Sequence, residues 1–391
     1  MTQQKIQKNR PVVKFFKNIG GAIGDYFATT DKWLILFCLM ASGLSLLFLI
    51  AMAQTGLTWN SRVVTQAAAS GVGVLCALVV SLIDYRTLVK FWKLYVPLCI
   101  AGMALTYVMG TVRGANKAWL EISAFGMSTS IQPAEFLKLS FITTFALHLS
   151  YVKERMNRPL NMLLLLLHGG AHLLLIALQG DDGTAIVFAA IMVIMLFFAG
   201  INWKYMVAGV VALIPGIPFV WYKVMSEYQR MRFLVVWDPS LSEADAYQQT
   251  RGLLALGVGG LEGTGLFYDK HIYVPEVYND FIFAFIGEAA GFIGCMGVIL
   301  LLLAICFKVL YNSSRAVNDL GRNICVGVFG MLIAQTVINL GMCLRVMPVI
   351  GVTLPFISAG GTSVLSLYLA IGLVLSVYRH SEQGFFTNRQ L

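Results

Sequence analysis

The run Val274-Pro275-Glu276-Val277-Tyr278-Asn279-Asp280-Phe281-Ile282-Phe283-Ala284-Phe285-Ile286-Gly287-Glu288 joins a long polar loop to an apolar helix. Asp280 sits at that junction, close enough to water to reach a soluble head group and close enough to lipid to be desolvated. An ionisable group at membrane depth is costly and marks a functional site. If the chain does chemistry, this carboxylate is the first residue to consider.

The surrounding composition makes the membrane setting unavoidable. The 391 residues are 58% hydrophobic and 12% charged, where a soluble chain carries about 25% charged residues, and the mean hydropathy is +0.77. A bilayer span needs about 20 apolar residues. Ten such runs can be drawn, at 33–53, 63–83, 92–111, 132–151, 160–178, 183–201, 204–222, 281–307, 323–344 and 356–378. The expected fold is an all-α polytopic membrane protein of ten helices. It has a basic N-terminal segment (1–32), a ten-helix domain (33–378) interrupted by one long loop (223–279), and a short C-terminal tail (379–391).

The net charge of +9 would point to nucleic acid in a soluble chain, but here its distribution matters more. Lys5, Lys8, Lys90, Lys93, Lys153, Arg155, Arg158, Lys204, Lys308, Arg315 and Arg322 fall on one side of the spans, and few cations on the other. That bias places both termini in the cytoplasm. Asp181, Asp182, Glu262, Asp269, Glu276 and Asp280 crowd the opposite face. The seven cysteines lie in spans without a CxxC pair and read as packing residues rather than a disulfide frame or zinc site. Residues 12–28 mix lysines with apolar positions and fit a surface-lying amphipathic helix or an unstructured tail.

Polar residues recur where spans meet loops. After the third span, Arg113 to Ile122 form a polar loop whose Trp119 suits a membrane interface. Gln132-Pro133-Ala134-Glu135-Phe136-Leu137-Lys138 opens the fourth, with Glu135 and Lys138 three apart on one helix face. They fit either a structural buried ion pair or a substrate-binding pair. Gln179-Gly180-Asp181-Asp182-Gly183-Thr184 is a glycine-flanked turn, readable as a divalent-cation site or as a solvated turn with Asp182 capping the next helix. His168 and His172 share a face and carry no functional assignment.

The loop 223–279 has amphipathic spacing that predicts short helices lying on the membrane. Arg230, Arg232 and Arg251 suit phosphate or carboxylate, and the run Gly257 to Gly265 permits close backbone approach. Ala284, Gly287, Gly291 and Gly294 let a helix or a ligand chain pack beneath Asp280. Glu288 lies deeper and needs a partner or water. Pro348 to Ser363 breaks the helical pattern, so irregular backbone there must be buried in protein or line a cavity.

Together these runs resemble the SEDS family, the RodA, FtsW and SpoVE group of peptidoglycan glycosyltransferases. The family pattern GARRWL…QPSExxK is similar to Gly114–Leu120 followed by Gln132–Lys138, QPDxGT to Gln179–Thr184, TDFIFAxxxEExGxxG to Asn279–Gly294, and LPFxSYGGSS to Leu354–Ser363. The resemblance implies polymerisation of lipid II by an inverting transfer on the outer face of the bacterial cytoplasmic membrane. It implies Asp280 as the catalytic base, with Glu135, Lys138, Asp181, Glu288 and Ser358 in the substrate site. Lys117, Arg230, Arg232, Arg251 or a divalent ion (Mg or Mn) would stabilise the leaving undecaprenyl pyrophosphate. It also implies a class B penicillin-binding protein as partner, and no nucleic acid.

This chain departs from the pattern at Gly180, Asp182, Asn279, Ala289 and Ala359, and Arg251-Gly252 stands where the family has Gln-Ser. Two other readings compete: a flippase for a lipid-linked sugar, resting on Glu135, Lys138, Glu288 and the broken segment, and a catalytically inactive scaffold, resting on the departures.

Overall fold

The computed structural model describes residues 24–113, 116–124 and 127–387. Among them, nine helices are long and apolar enough to cross a membrane. A tenth, Pro133–Val152, has the length but is less apolar because it carries Glu135, Lys138 and His148. The chain is a predominantly helical, multi-pass membrane protein. In chain order the elements are α1 (Lys32–Gln54), α2 (Asn60–Leu82), the short α3 (Tyr85–Lys90), α4 (Trp92–Met109), β1 (Thr111–Arg113), β2 (Asn116–Ala124) and β3 (Met127–Ile131). There follow α5 (Pro133–Val152), α6 (Pro159–Ala177), α7 (Asp182–Ala199), α8 (Trp203–Phe219), α9 (Glu227–Trp237), α10 (Glu243–Gly259), α11 (Ile282–Arg315), α12 (Asp319–Cys343) and α13 (Gly361–Thr387).

The centre of the bundle is α12, which packs against α5, α7, α11 and α13. Gly321, Gly327, Gly330 and Gly341 are among the small residues along it, and they let neighbouring helices approach closely. α2 lies along α13, where a Cβ on Gly372 would meet the Ala77 backbone at 2.9 Å. At the other extreme, α8 has no buried residue and presents apolar side chains all round, as a lipid-facing helix does. α1 is tied to α11 near the basic end: Asp31 caps its own helix through Leu34 N (3.2 Å), takes Lys308 Nζ at 3.0 Å and accepts from Asn312 Nδ2 at 2.9 Å.

Three features differ from the sequence reading. The segment read as a polar loop after the third span is a three-stranded antiparallel sheet, β1-β2-β3, with Leu120 opposite Ile131. The last span starts at Gly361 rather than 356 and runs to Thr387, so helix extends into the expected tail. The loop helix α10 does not lie flat on the membrane: Ala246, Gln249, Gly252, Ala255 and Gly259 are buried along it, and a Cβ on Gly259 would collide with Gly287 O. The small-residue stripe on α11 is thus occupied by a helix of the same chain, not by a ligand chain. Most of the amphipathic segment read at 12–28 lies outside the described residues.

The glycine-rich run also has a structural task. α11 is broken at Gly291 (φ 64°, ψ −164°), and the irregular segment 260–265 pairs with the break. Thr264 N and Gly265 N donate to the carbonyls of Glu288 (2.8 Å) and Ala289 (3.0 Å), while Phe292 N and Ile293 N donate to Gly260 O (2.9 Å) and Leu261 O (3.2 Å). The peptide groups freed by the break are therefore satisfied internally, which hydrocarbon surroundings demand.

Candidate functional site

Asp280 ends the loop two residues before α11, and its surroundings are built by three irregular segments. Segment 354–360 is laced to it through backbone: Ala359 N donates to Tyr278 O (2.9 Å), and Ser358 Oγ donates to Asn279 O (2.6 Å) while accepting from Leu354 N (2.8 Å). From α2, Gln66 Nε2 donates to Ser358 O (3.1 Å) and its Oε1 accepts from Gly360 N (3.1 Å); Ser45 Oγ of α1 donates to Ile357 O (2.6 Å). These amide and hydroxyl groups let non-helical backbone sit at membrane depth. Glu276 (φ 52°) and Phe356 (φ 62°) hold left-handed backbone without being glycine, at a cost of about 1–3 kcal/mol each, so the loops are held in place by this lacing rather than by local preference.

The Asp280 side chain is half-buried. Its Oδ1 is closed off from solvent and has no hydrogen-bond partner. Its Oδ2 lies 3.7 Å from where a Cβ on Gly351 would stand, an ordinary contact, so the glycine serves the left-handed backbone there (φ 72°). Burial first, then the negative charges of Glu276 and Asp181, push its pKa up to about 7, with partial relief from Arg232. The carboxylate thus titrates near neutral pH, in the range that suits a general base.

Asp181 is the second acid. It caps α7: Oδ1 accepts from Thr184 N (3.0 Å), and Oδ2 from Thr184 Oγ1 (2.9 Å) and Gln132 Nε2 (2.8 Å). The cap is therefore Asp181 rather than Asp182, and the turn is not solvated, since Asp181 is 3% exposed. Its pKa is raised, chiefly by burial, against the Thr184 hydrogen bonds and the charge of Lys138, which lower it, while Glu135 adds to the rise. Asp182 instead accepts from Gln229 Nε2 of α9 (2.6 Å). Gly180 has φ 74°, a value closed to the proline of the family pattern.

Glu135 and Lys138 are both buried and paired at 2.8 Å, and Ser366 Oγ donates to the other Glu135 oxygen at 2.7 Å. The structure therefore brings Asp280, Asp181, Glu135 and Lys138 into one electrostatic chain. Arg232 stands at its outer end, stacked on Tyr228 with Nη2 donating to that hydroxyl. Beside Arg232, a cavity of about 130 Å³ is lined by Asp245, Gln248, Gln249 and Val349. The other arginines serve the loop: Arg230 donates twice to Met225 O and Arg251 Nε donates to Tyr273 O (3.0 Å). Glu288 is 1% exposed, accepts from Ile272 N (2.8 Å) and lies 3.4 Å from His271 Nδ1, so it anchors the loop and does not face Asp280's surroundings. Ser358 is held in the lacing already described. The Lys117 side chain lies outside the described residues.

Several residues at the site were not singled out from the sequence. Asn339 of α12 donates to Asp280 O (2.8 Å) and Val352 O (2.7 Å), and Gln249 of α10 donates to Met342 O (3.1 Å) and Met347 O (2.8 Å). Arg62 lies 3.7 Å over the Tyr278 ring and donates to its hydroxyl at 2.9 Å. Burial and Glu276 raise the Tyr278 pKa to about 12, so it stays a neutral donor. The signal available beforehand was a polar amide inside an apolar helix, which is buried only when its hydrogen bonds are met. No group of three or more His, Cys, Asp or Glu able to hold a metal is gathered among the described residues. His168 is instead stacked on His148 and 3.2 Å from its Nδ1, and His172 Nδ1 meets His168 O at 2.9 Å.

The fold and site define a polytopic membrane protein with a partly desolvated acid where a long loop enters the bundle. The profile of the FtsW, RodA and SpoVE family, described as a cell cycle protein, matches residues 29–383, and the chain belongs to that family. It is 31% identical over 327 residues to the stage V sporulation protein E of Bacillus subtilis (strain 168), covering 80% of this chain and 86% of that one. It is 28% identical over 292 residues to the peptidoglycan glycosyltransferase MrdB of Escherichia coli (strain K12), covering 73% and 77%. Among solved structures it superposes with a TM-score of 0.76 and 25% identity on a chain from a study of a peptidoglycan synthase complex that coordinates polymerization and crosslinking, covering 90% of this chain and 99% of that one.

Proposed function

We propose that this chain is a peptidoglycan glycosyltransferase that polymerises lipid II on the outer face of the bacterial cytoplasmic membrane. The acceptor sugar hydroxyl attacks the anomeric carbon of the polyprenyl-linked donor. Asp280 takes the hydroxyl proton, the new glycosidic C–O bond forms, and the bond to the pyrophosphate breaks with inversion, its electron pair leaving with undecaprenyl pyrophosphate. The observation that carries this reading is the Asp280 carboxylate itself, with one oxygen that nothing in the protein satisfies and a pKa near 7. Arg232, whose charge acts on Asp280, supplies positive charge where the leaving pyrophosphate gains negative charge. Asp181, whose charge acts on Asp280, and the buried Glu135–Lys138 pair complete the substrate site from inside the bundle.

A divalent cation fits this donor set in one form only. Asp280 can give one carboxylate oxygen, and the substrate pyrophosphate and water the rest, as is common for Mg. Bound there, the ion would offset negative charge on the leaving group. The excess of Lys and Arg on the opposite side of the spans supports the outward orientation of the site. The relatedness to a chain from a synthase complex supports a crosslinking partner, a class B penicillin-binding protein.

The test is polymerisation of lipid II by purified protein. Asp280→Asn should abolish product while the variant melts no lower than wild type. Full activity in that variant would remove the mechanism.

A further inference from the structure

At the end of the bundle remote from Asp280, the tips of α5, α7, α11 and α12 line a second, larger cavity of about 540 Å³ that opens to the surface, where Lys153 and Arg322 are exposed. α5 starts beside Asp181 and ends at this cavity; its 20 residues put the two sites about 30 Å apart. The volume falls within the range of about 300–1,000 Å³ seen for small-molecule sites. One wall is apolar, formed by Phe198, Leu310 and Val317, and the rest carries Lys153, Asp319 and Arg322.

The hydrogen-bond inventory of the lining is lopsided. Ser313 Oγ donates to Arg322 O (3.3 Å) and Ser314 Oγ to Tyr311 O (2.7 Å), while Asn318 Oδ1 is taken up by Tyr85 OH and Gly321 N, both at 2.9 Å. Asp319 Oδ1 accepts from Lys153 Nζ at 2.5 Å. The cations are less fully committed. Of its five N–H groups, Arg322 places one on Phe198 O, at 3.4 Å, and Lys153 gives one of three to Asp319. Donor capacity therefore exceeds acceptor capacity, and the complement to such a lining is an acceptor-rich anion. Arg155 and Arg158 follow Lys153 in the same turn and outnumber Glu154 there, so the charge beside the mouth has the same sign.

We propose that this cavity binds the phosphate of an anionic phospholipid headgroup. Arg322 and Lys153 donate to its oxygens, and the apolar wall takes the glycerol and the first acyl carbons. A lipid fits better than a free phosphate compound because the cavity lies where the spans leave the hydrocarbon, with exposed apolar side chains such as Val317, Phe197 and Phe307 nearby. Basic pockets between helices at this depth are suited to such headgroups.

The test uses the full chain in nanodiscs of phosphatidylcholine with and without phosphatidylglycerol, reading retained lipid by native mass spectrometry and stability by thermal denaturation. Wild type should retain phosphatidylglycerol and melt higher with it. Arg322→Gln and Lys153→Gln should each weaken retention about five-fold, whereas Arg322→Lys retains it. Asp319→Asn, which removes the competing carboxylate, should strengthen it. Equal retention by the Arg322→Gln, Lys153→Gln double variant, weaker retention by Asp319→Asn, or a full shift produced by soluble glycerol phosphate would each overturn the proposal.

Discussion

Asn339 and Asp280 are joined through the backbone: the Asn339 amide donates to Asp280 O at 2.8 Å and, with its second hydrogen, to Val352 O at 2.7 Å. One side chain in one of the two most buried spans thereby fixes both the Asp280 segment and the loop whose Gly351 faces the carboxylate. Removing it leaves the Val352 carbonyl unpaired, at about 1–3 kcal/mol, leaves the Asp280 carbonyl with only the Cys343 thiol at 3.6 Å, and lets Asp280 drift. Asn339→Ala should lower kcat roughly ten- to hundredfold with little change in KM, and lower the melting temperature. Asn339→Asp, similar in shape but without the N–H donors, should fail in the same way. Wild-type turnover in Asn339→Asp would show that the donor does not position the base.

The acidity of Asp280 sets a pH profile. It acts as a base only when ionised, and its pKa stands at about 7 instead of 3.8. kcat/KM should therefore climb with pH and level off above about pH 8. Arg232→Gln removes a charge that lowers the pKa and should move the inflection up; Asp181→Asn removes one that raises it and should move it down. Stability follows by linkage. A raised folded-state pKa contributes stability that is fully present below the unfolded value and lost as pH rises through about 7. Asp280→Asn should accordingly melt higher than wild type at alkaline pH, with the difference vanishing in acid. An inflection near the ordinary carboxylate value would mean that Asp280 is not desolvated in solution.

The pair Glu135–Lys138 is open to a test that separates structure from substrate binding. Both groups are buried, so removing either alone strands a charge at about 3–5 kcal/mol, while replacing both with apolar residues is far less costly. Glu135→Ala and Lys138→Ala should each lower the melting temperature strongly, and Glu135→Leu with Lys138→Met should recover most of it. Polymerisation should stay absent in the recovered double variant, measured on lipid II. Activity returning with stability would assign the pair a structural role alone.

Much of this arrangement was legible in the chain. Spans such as 33–53 and 183–201 fall within a few residues of α1 and α7, because a stretch of apolar residues has one solution in a bilayer. Asp280, Glu135 and Lys138 stood out because a charge beside such a stretch is expensive. The sheet was missed although Ala118, Leu120 and Ile122 alternate with Lys117, Trp119 and Glu121, a strand period masked by the flanking polar residues. The tilt of α10 into the bundle was missed for a different reason. Its buried stripe is Ala, Gln and Gly, which composition alone reads as a weak helix, and only the facing glycines of α11 give it a partner. The isolation of Glu288 from Asp280 was likewise hidden, since its partners His271 and Ile272 N come from the long loop.

The break of α11 at Gly291 yields the sharpest prediction of stability. A Cβ on Gly291 would lie 2.4 Å from Leu261 O, in a backbone conformation (φ 64°) that side chains rarely adopt, and one on Gly263 (φ 85°) would lie 2.4 Å from Ala289 O. Both contacts are to backbone, so no side chain can swing away. Gly257, in the same glycine-rich run but within α10, meets nothing within 4 Å. Gly291→Ala and Gly263→Ala should each cost several kcal/mol, on the order of an overpacked core site with a strained residue, and should loosen the loop that ends at Asp280, lowering polymerisation. Gly257→Ala should be neutral or stabilise by up to about 1 kcal/mol through helix propensity. Thermal denaturation of the three variants in one detergent decides it: equal effects at 257 and 291 would mean that the segment 260–265 does not pair with the broken helix.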